Sequence, residues 1–190
     1  MQFDEQLLRE LKENERVVRV YVWRSPGLTL SFKQTCPKEM AMIDHAIRIT
    51  GGGIVCHSPG DVVFSMAGHA NDAAVPKSPK KKLDMVSNLL KQSLMDADVA
   101  LDDAPLPFEK DLAFCQSYPT PFELSINGKK ICGLTIRQFK TNWLIQGILH
   151  AQPTHPVFYP LIPDAQHLDL QLDSAHIQQT LIQAFKLSII

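Results

Sequence analysis

The stretch from Phe122 to Leu134, FELSI-NG-KKICGL, limits the possible folds more than any other part of the chain. Two runs of strand-like residues are joined by Asn127-Gly128. Asn-Gly supplies the pair of positive-φ residues that a type I′ turn requires, so the stretch predicts a tight β-hairpin. The run NWLIQGIL (142–149) reads as a third strand of the same meander. An antiparallel sheet is therefore fixed in the second half of the chain before any other element is placed.

The rest of the pattern mixes helices and strands without strict βαβ alternation. Phe3, Leu7, Leu8 and Leu11 fall on one helical face. The run VVRVYVW (17–23) alternates and is β-branched, and LTLSF (28–32) follows the turn SPG as its expected hairpin partner. PKEMAMIDHA (37–46) opens with Pro at a first helical position and predicts a short helix. VVFSMA (62–67) reads as a strand, and residues 68–82 as a loop. Apolar residues at 83, 86, 90, 94 and 97 predict an amphipathic helix. DDAPLPFEKD (102–111) reads as a second loop and PTHPVFYPLIP as irregular chain. A final helix follows, capped by Asp173 or Ser174. The fold class expected is α+β, a central mixed or antiparallel sheet flanked by helices.

Bulk properties narrow the function. The 190 residues suit one domain that can bury a real core. A net charge of −1 gives no electrostatic case for nucleic acid or a membrane surface. No apolar run is long enough to span a bilayer, and the acidic, amphipathic start is not a signal peptide. The four Cys, at 36, 56, 115 and 132, show no CxxC spacing. They read as reduced thiols of a cytoplasmic protein. The seven His form no metal-ligand pattern, and no metal site is expected. KSPKKK (77–82) reads as a solvated loop, with docking to an acidic carrier domain as the lesser alternative.

Three successive glycines, Gly51, Gly52 and Gly53, stand in RITGGGIVCH, with His57 four positions on. Each Gly costs roughly 0.5–1 kcal/mol of backbone entropy against Ala. Such a cluster persists where the backbone takes positive φ or something must approach it. No Gly-Lys-Ser/Thr follows, so it is not a phosphate-binding P-loop. The G-x-G-x-x-G spacing of a dinucleotide fingerprint fails at Cys56. A tight turn between two strands remains open on spacing alone.

RITGGGIVCH resembles the R-x-S/T-G-G-G-x-V-x-H segment of the lipoate-protein ligase and octanoyltransferase family. FDEQLLRE resembles that family's opening helix, and VWRSPGLTLSFKQ its hairpin, with Ser31 in place of a Gly. NGKKICG resembles its G-K/R-K-I/V/F-x-G segment, and IQQTLIQAF the last helix of its catalytic domain. The chain is thus identified as a member of that family, closest to the ligase-like cysteine octanoyltransferases. The resemblance implies a biotin/lipoate-protein ligase-like catalytic domain over residues 1–190, with no C-terminal accessory domain.

The resemblance also implies roles for particular residues. The glycine loop lies against an acyl chain and its activated carboxyl end. Lys130 is the family lysine, a cation that stabilises charge developing on the reacting carbonyl. Cys115 stands fifteen positions before Lys130, where the ligase-like octanoyltransferases carry their nucleophile. A thiolate is both a good nucleophile and a good thioester leaving group. Cys132 fills a variable position, and Cys36 and Cys56 read as core thiols. His57 orients the loop or acts as base. Arg48, Thr50, Gly51, Gly52, Gly53, His57, Gly133 and Arg137 are the implied substrate-binding set.

Some positions depart from the family pattern. Ile47 replaces the first Arg of Arg-Arg, Ser58 replaces an Asp, LTIRQ keeps only Arg137 of S-A-Q-x-R, and LIQG replaces L-Q-H-G. Several of these lost polar groups serve the adenylate in ligases. Three readings follow: an octanoyl or lipoyl transferase working through a Cys115 thioester without cofactor; a ligase using ATP and Mg²⁺; or a diverged binder without catalysis. The implied partners are acyl carrier protein and the lipoyl domains of 2-oxoacid dehydrogenase or glycine cleavage proteins.

Overall fold

The computed structural model describes residues 2–13, 15–103, 120–163 and 166–189. Its elements are α1 (Gln2–Glu10), β1 (Arg16–Val22), β2 (Gly27–Leu30), β3 (His45–Ile47), β4 (Val55–His57), β5 (Val62–His69), α2 (Pro79–Asp96), β6 (Ser125–Ile126), β7 (Lys129–Lys130), β8 (Cys132–Gln138), β9 (Asn142–Leu149) and α3 (Ser174–Ile189). Four strands form an antiparallel sheet in the order β1-β5-β9-β8, and three form a small sheet in the order β3-β2-β4. β6 and β7 pair with each other as the expected hairpin. The fold is α+β with antiparallel pairing dominant.

Because side chains alternate along a strand, the large sheet has two distinct faces. One carries Val62, Phe64 and Met66 of β5, Trp143, Ile145 and Leu149 of β9, and Cys132 of β8. All are buried under the apolar faces of α2 (Val86, Leu90) and α3 (Ile177, Leu181, Phe185), forming the main core. Gly147 sits on this face, where the Phe64 ring takes the space a side chain would need. Pro79 opens α2 at its first turn, and Asp173 caps α3 by accepting from the N–H groups of Ala175 and His176.

The other face carries Val63 and Ser65 of β5, Gln146 and Ile148 of β9, and Gly133 and Thr135 of β8. Helix α1 covers one end through Leu8, which packs on Ala67 and Leu144. The small sheet approaches the other end, with Val55 against Val63 and Ile148. Leu28 and Cys56, on the far side of the small sheet, pack with Met40, Ile54, Phe158 and Ile162.

Three sequence expectations need correction, the first being the solvated loop at KSPKKK (77–82): Pro79–Lys82 form the first turn of α2, and Lys82 is buried with its Nζ donating to the Lys77 carbonyl. β1 and β2 do not form a hairpin: β1 pairs with β5, and that ladder continues through Trp23 N–H to Asp61 and Gly60 N–H to Trp23. β2 is buried along its whole length and already has a neighbour on each edge, β3 parallel and β4 antiparallel. The turn at 25–27 therefore carries the chain from one sheet to the other. The helix expected over 37–46 is only a 3₁₀ turn at Lys38–Met40. Its apolar period finds nothing to cover, since Met42 is almost fully exposed, while the following residues gain ladder bonds to β2.

Candidate functional site

The glycine loop joins β3 to β4, and Arg48 organises it from beneath. The guanidinium is buried and donates to the carbonyls of Thr29 (2.9 Å), Gly51 (2.8 Å) and Gly53 (2.6 Å). Three carbonyls thus converge on one cation, which curls the loop around it. Gly52 takes φ +98°, a conformation side chains avoid, and a Cβ there would lie 3.1 Å from Arg48 Nη2. The loop bends around Arg48 and leaves its outer side free of side chains. Thr135 Oγ1 donates to the Gly51 carbonyl from β8.

Beside the loop, between the two sheets, lies a cavity of about 430 Å³. Its apolar side chains are Val55 from β4 and Val63 and Ile148 from the large sheet. Gly52, Gly53 and Gly133 give it backbone surface. Thr29, Arg48, His57, Gln146, Thr120 and Glu123 supply the polar groups. An apolar slot with a few convergent polar groups is the usual form of a small-molecule site.

His57 is buried, with Nε2 2.9 Å from Thr29 Oγ1 and its ring stacked on Trp23 at 4.1 Å. Burial, followed by the nearby His150 and Arg48, holds its pKa well below the ordinary value, so the ring is neutral at pH 7. Beyond it, Asp61 binds His150 Nδ1 at 3.0 Å and accepts from the N–H groups of Ser58 and Ala151.

The hairpin delivers Lys130. Asn127 and Gly128 adopt φ of 53° and 72°, and both their N–H groups donate to the Asp102 carboxylate. These bonds, Gly128's foremost, hold the Asp102 pKa below the usual carboxylate range. With the turn pinned, Lys130 points inward. Its Nζ lies 2.6 Å from Glu123 Oε1, and both side chains are about 95% shielded from solvent. Thr120 N–H donates to the other Glu123 oxygen at 2.6 Å. Burial raises the Glu123 pKa, while Lys130 opposes the rise. Glu123 lines the cavity, so the ion pair sits at its edge.

Of the residues singled out in the sequence, Arg48, Gly52, Gly53, His57 and Gly133 line the cavity. Gly51 contributes its carbonyl to Arg48. Thr50 is buried behind the wall and donates to Gln146 Oε1 at 2.7 Å. Arg137 lies outside the cavity. It donates to the Ile49 carbonyl at 2.6 Å and packs its guanidinium on the rings of Phe32 and Phe139, bracing the loop from behind. Lys130 joins the site through Glu123. Cys115 lies outside the described residues. Cys132 is buried in the helix-covered core, on the opposite side of the sheet from the cavity. Burial pushes the Cys56 thiol up to about 12, which makes it inert. No group of His, Cys, Asp or Glu among the described residues could hold a metal ion. Sequence reasoning missed Glu123, Thr29 and Gln146. Only Glu123 carried a signal, as the acidic residue of FEL directly ahead of the hairpin.

An apolar slot of about 430 Å³ between two sheets, with a glycine loop along it and a buried lysine–glutamate pair at its edge, makes up the candidate site of this α+β domain. The chain belongs to the lipoyl protein ligase A/B catalytic domain family, which matches residues 1–154. It is a lipoate-protein-ligase-like catalytic domain, an enzyme domain of the ligase and transferase class. No curated protein matches the chain in sequence.

Solved structures share its fold. Lipoate-protein ligase A bound with ATP is 19% identical, with a TM-score of 0.74 over 98% of this chain and 78% of that one. A bipartite lipoate protein ligase from Thermoplasma acidophilum, solved in a study of an archaeal lipoylation system with its lipoyl domain, is also 19% identical. Its TM-score is 0.70 over 98% of this chain and 76% of that one. A P. falciparum protein in complex with lipoate is 16% identical, with a TM-score of 0.63 over 99% of this chain and 56% of that one. No helix among the described residues is long and apolar enough to cross a membrane.

Proposed function

We propose that the protein moves an octanoyl- or lipoyl-type acyl group to a lysine of a lipoyl carrier domain through a thioester on Cys115. The acyl chain lies between Val55, Val63 and Ile148, with its carbonyl toward the Glu123–Lys130 end. The observation that carries this reading over an ATP-using one is the charge of the slot. Among its described lining residues Arg48 is the only Lys or Arg, committed to three loop carbonyls, and Glu123 brings a carboxylate. A neutral thioester suits that lining. A triphosphate would have to draw its counter-charge from Lys130, which is already paired with Glu123.

In the first step the Cys115 thiolate attacks the acyl carrier thioester. A C–S bond to Cys115 forms, the C–S bond to the carrier breaks, and the carrier leaves as a thiolate that takes up the proton Cys115 gave up. In the second step the carrier-domain lysine, as free amine, attacks the enzyme thioester. A C–N bond forms, the C–S bond breaks, and the amine proton returns to the thiol. Lys130 stabilises the oxyanion in both steps.

Intact-mass measurement after incubation with octanoyl-acyl carrier protein tests the reading. One octanoyl group should appear on the protein without ATP, vanish in Cys115→Ser and pass to an added lipoyl domain. A carrier lysine modified only with lipoate and ATP, and undiminished in Cys115→Ser, would establish the ligase instead. No modified carrier in either mixture would mean a non-catalytic binder.

A further inference from the structure

A buried chain of side chains runs from the first helix to the glycine loop. Asp4 of α1 is 2% exposed. Its Oδ1 accepts from Ser65 Oγ at 2.9 Å and from Arg19 Nη1 at 3.3 Å. Its Oδ2 accepts from Gln146 Nε2 at 2.8 Å. Gln146 in turn accepts, through Oε1, from Thr50 Oγ1 at 2.7 Å. Gln146 lines the cavity, and Thr50 is the residue directly before Gly51.

We infer that Asp4 is a positioning residue for the glycine loop. It fixes the direction of every hydrogen bond between α1 and Thr50. A carboxylate only accepts, so Gln146 must turn its NH₂ toward Asp4 and its carbonyl toward Thr50. The Thr50 hydroxyl is then held as a donor to the strand rather than to the loop. This holds one end of the loop against the sheet, while Arg48 holds the middle. The acyl wall is thus set in part by a residue of the first helix that touches neither the cavity nor the loop. This rests on the acyl-transfer reading for its consequence, but not for the coupling itself.

The coupling has a polarity, and polarity can be reversed. Asp4→Asn presents an NH₂ to Gln146 and forces the amide to flip, leaving Thr50 facing a donor. Gln146→Glu sets two carboxylates against each other. Asp4→Asn combined with Gln146→Glu restores the pattern at unchanged net charge: a donor at position 4, an acceptor at 146, and Thr50 again donating. Ser65→Ala is the control, because it removes a bond to Asp4 without reversing Gln146.

Hydrogen–deuterium exchange of the ligand-free full chain reads the loop directly. Asp4→Asn should raise exchange across residues 49–53 on the order of tenfold, the scale of one buried charge-assisted hydrogen bond. The double variant should return it to the wild-type rate, and Ser65→Ala should leave it near wild type. The KM for octanoyl-acyl carrier protein should rise in Asp4→Asn and stay near wild type in Ser65→Ala; the double variant, which puts a carboxylate in the cavity lining, is read by exchange alone. Unchanged loop exchange in Asp4→Asn would overturn the inference. So would a double variant as perturbed as its parent, since that is the behaviour of a merely structural aspartate. If the exchange pattern appears but the wild type transfers no acyl group from any donor, the coupling stands and the transferase reading falls.

Discussion

The two faces of the four-stranded sheet are built from the same strands, yet they do opposite work. The helix-covered face is an unbroken apolar surface of Phe64, Met66, Trp143, Ile145 and Leu149. On the other face, Ser65, Gln146 and the Asp61–His150 pair interrupt Val63 and Ile148. Burying polar groups stabilises nothing unless each finds a partner. That face satisfies them in a network and leaves a cavity of about 430 Å³ unfilled. The difference teaches that one surface of the sheet holds the fold, while the other spends its burial on a polar network and an open cavity, where the proposed chemistry is placed. Substitutions should therefore divide by strand parity rather than by position along the chain.

The largest effect should come from the helix face. Phe64→Ala empties a fully buried site under α3 and beside Gly147 and should cost about 3–5 kcal/mol in chemical denaturation. Its neighbour in sequence but not in face, Val63→Ala, only enlarges an existing cavity. It should weaken acyl binding with a much smaller loss of stability. Equal destabilisation by the two would erase the distinction.

Lys130→Ala comes next, with acyl transfer slowed on the order of 10²–10³-fold. It also strands a buried Glu123. The folded pKa of Glu123 is already raised above its unfolded value, and losing Lys130, which opposes the rise, lifts it further. A raised pKa contributes stability fully below the unfolded value of about 4.3 and loses it as pH rises through the folded value. The stability deficit of Lys130→Ala should therefore shrink as pH falls from 8 to 5. A deficit independent of pH would mean that Glu123 is not left uncompensated.

The glycines separate more finely. Gly52→Ala meets both the left-handed backbone penalty, roughly 1–2 kcal/mol, and the Arg48 guanidinium. Gly51 has open space around it, and Gly51→Ala should change stability by less than about 0.5 kcal/mol. Acyl binding should fall in the first variant only. The smallest effect concerns His57. Its depressed pKa makes a contribution present above the unfolded value of about 6.5 and lost as pH falls through the folded one. Thermal melts from pH 7 to 5 should fall more steeply for the wild type than for His57→Gln.

What could be read in the sequence follows from how local each signal is. The Asn127-Gly128 turn and the Asp173 cap are decided by a few neighbouring residues, and both are present; the start of α2 at Pro79 lies inside a stretch read as loop, because the lysines of KSPKKK give no apolar period. The glycine loop was legible as a strained segment, but its cause, Arg48 beneath it, required the fold. The pairing of β1 with β5 was not legible, because a turn-like SPG names a bend without naming the partner. Asp4 and Gln146 were invisible for the same reason. A polar residue in a helix or strand reads as a solvent position until a second element is laid over it.

The claim that the cavity between the sheets is the acyl site can be tested by photolabelling. The probe is an octanoyl-acyl carrier protein carrying a diazirine at the far end of its chain. After irradiation and proteolysis, the label should be found on Val55, Val63 or Ile148, and competition with unlabelled octanoyl-acyl carrier protein should remove it. Competable labelling confined to the helix-covered face, or to the Phe32–Phe139 surface behind the loop, would contradict the account.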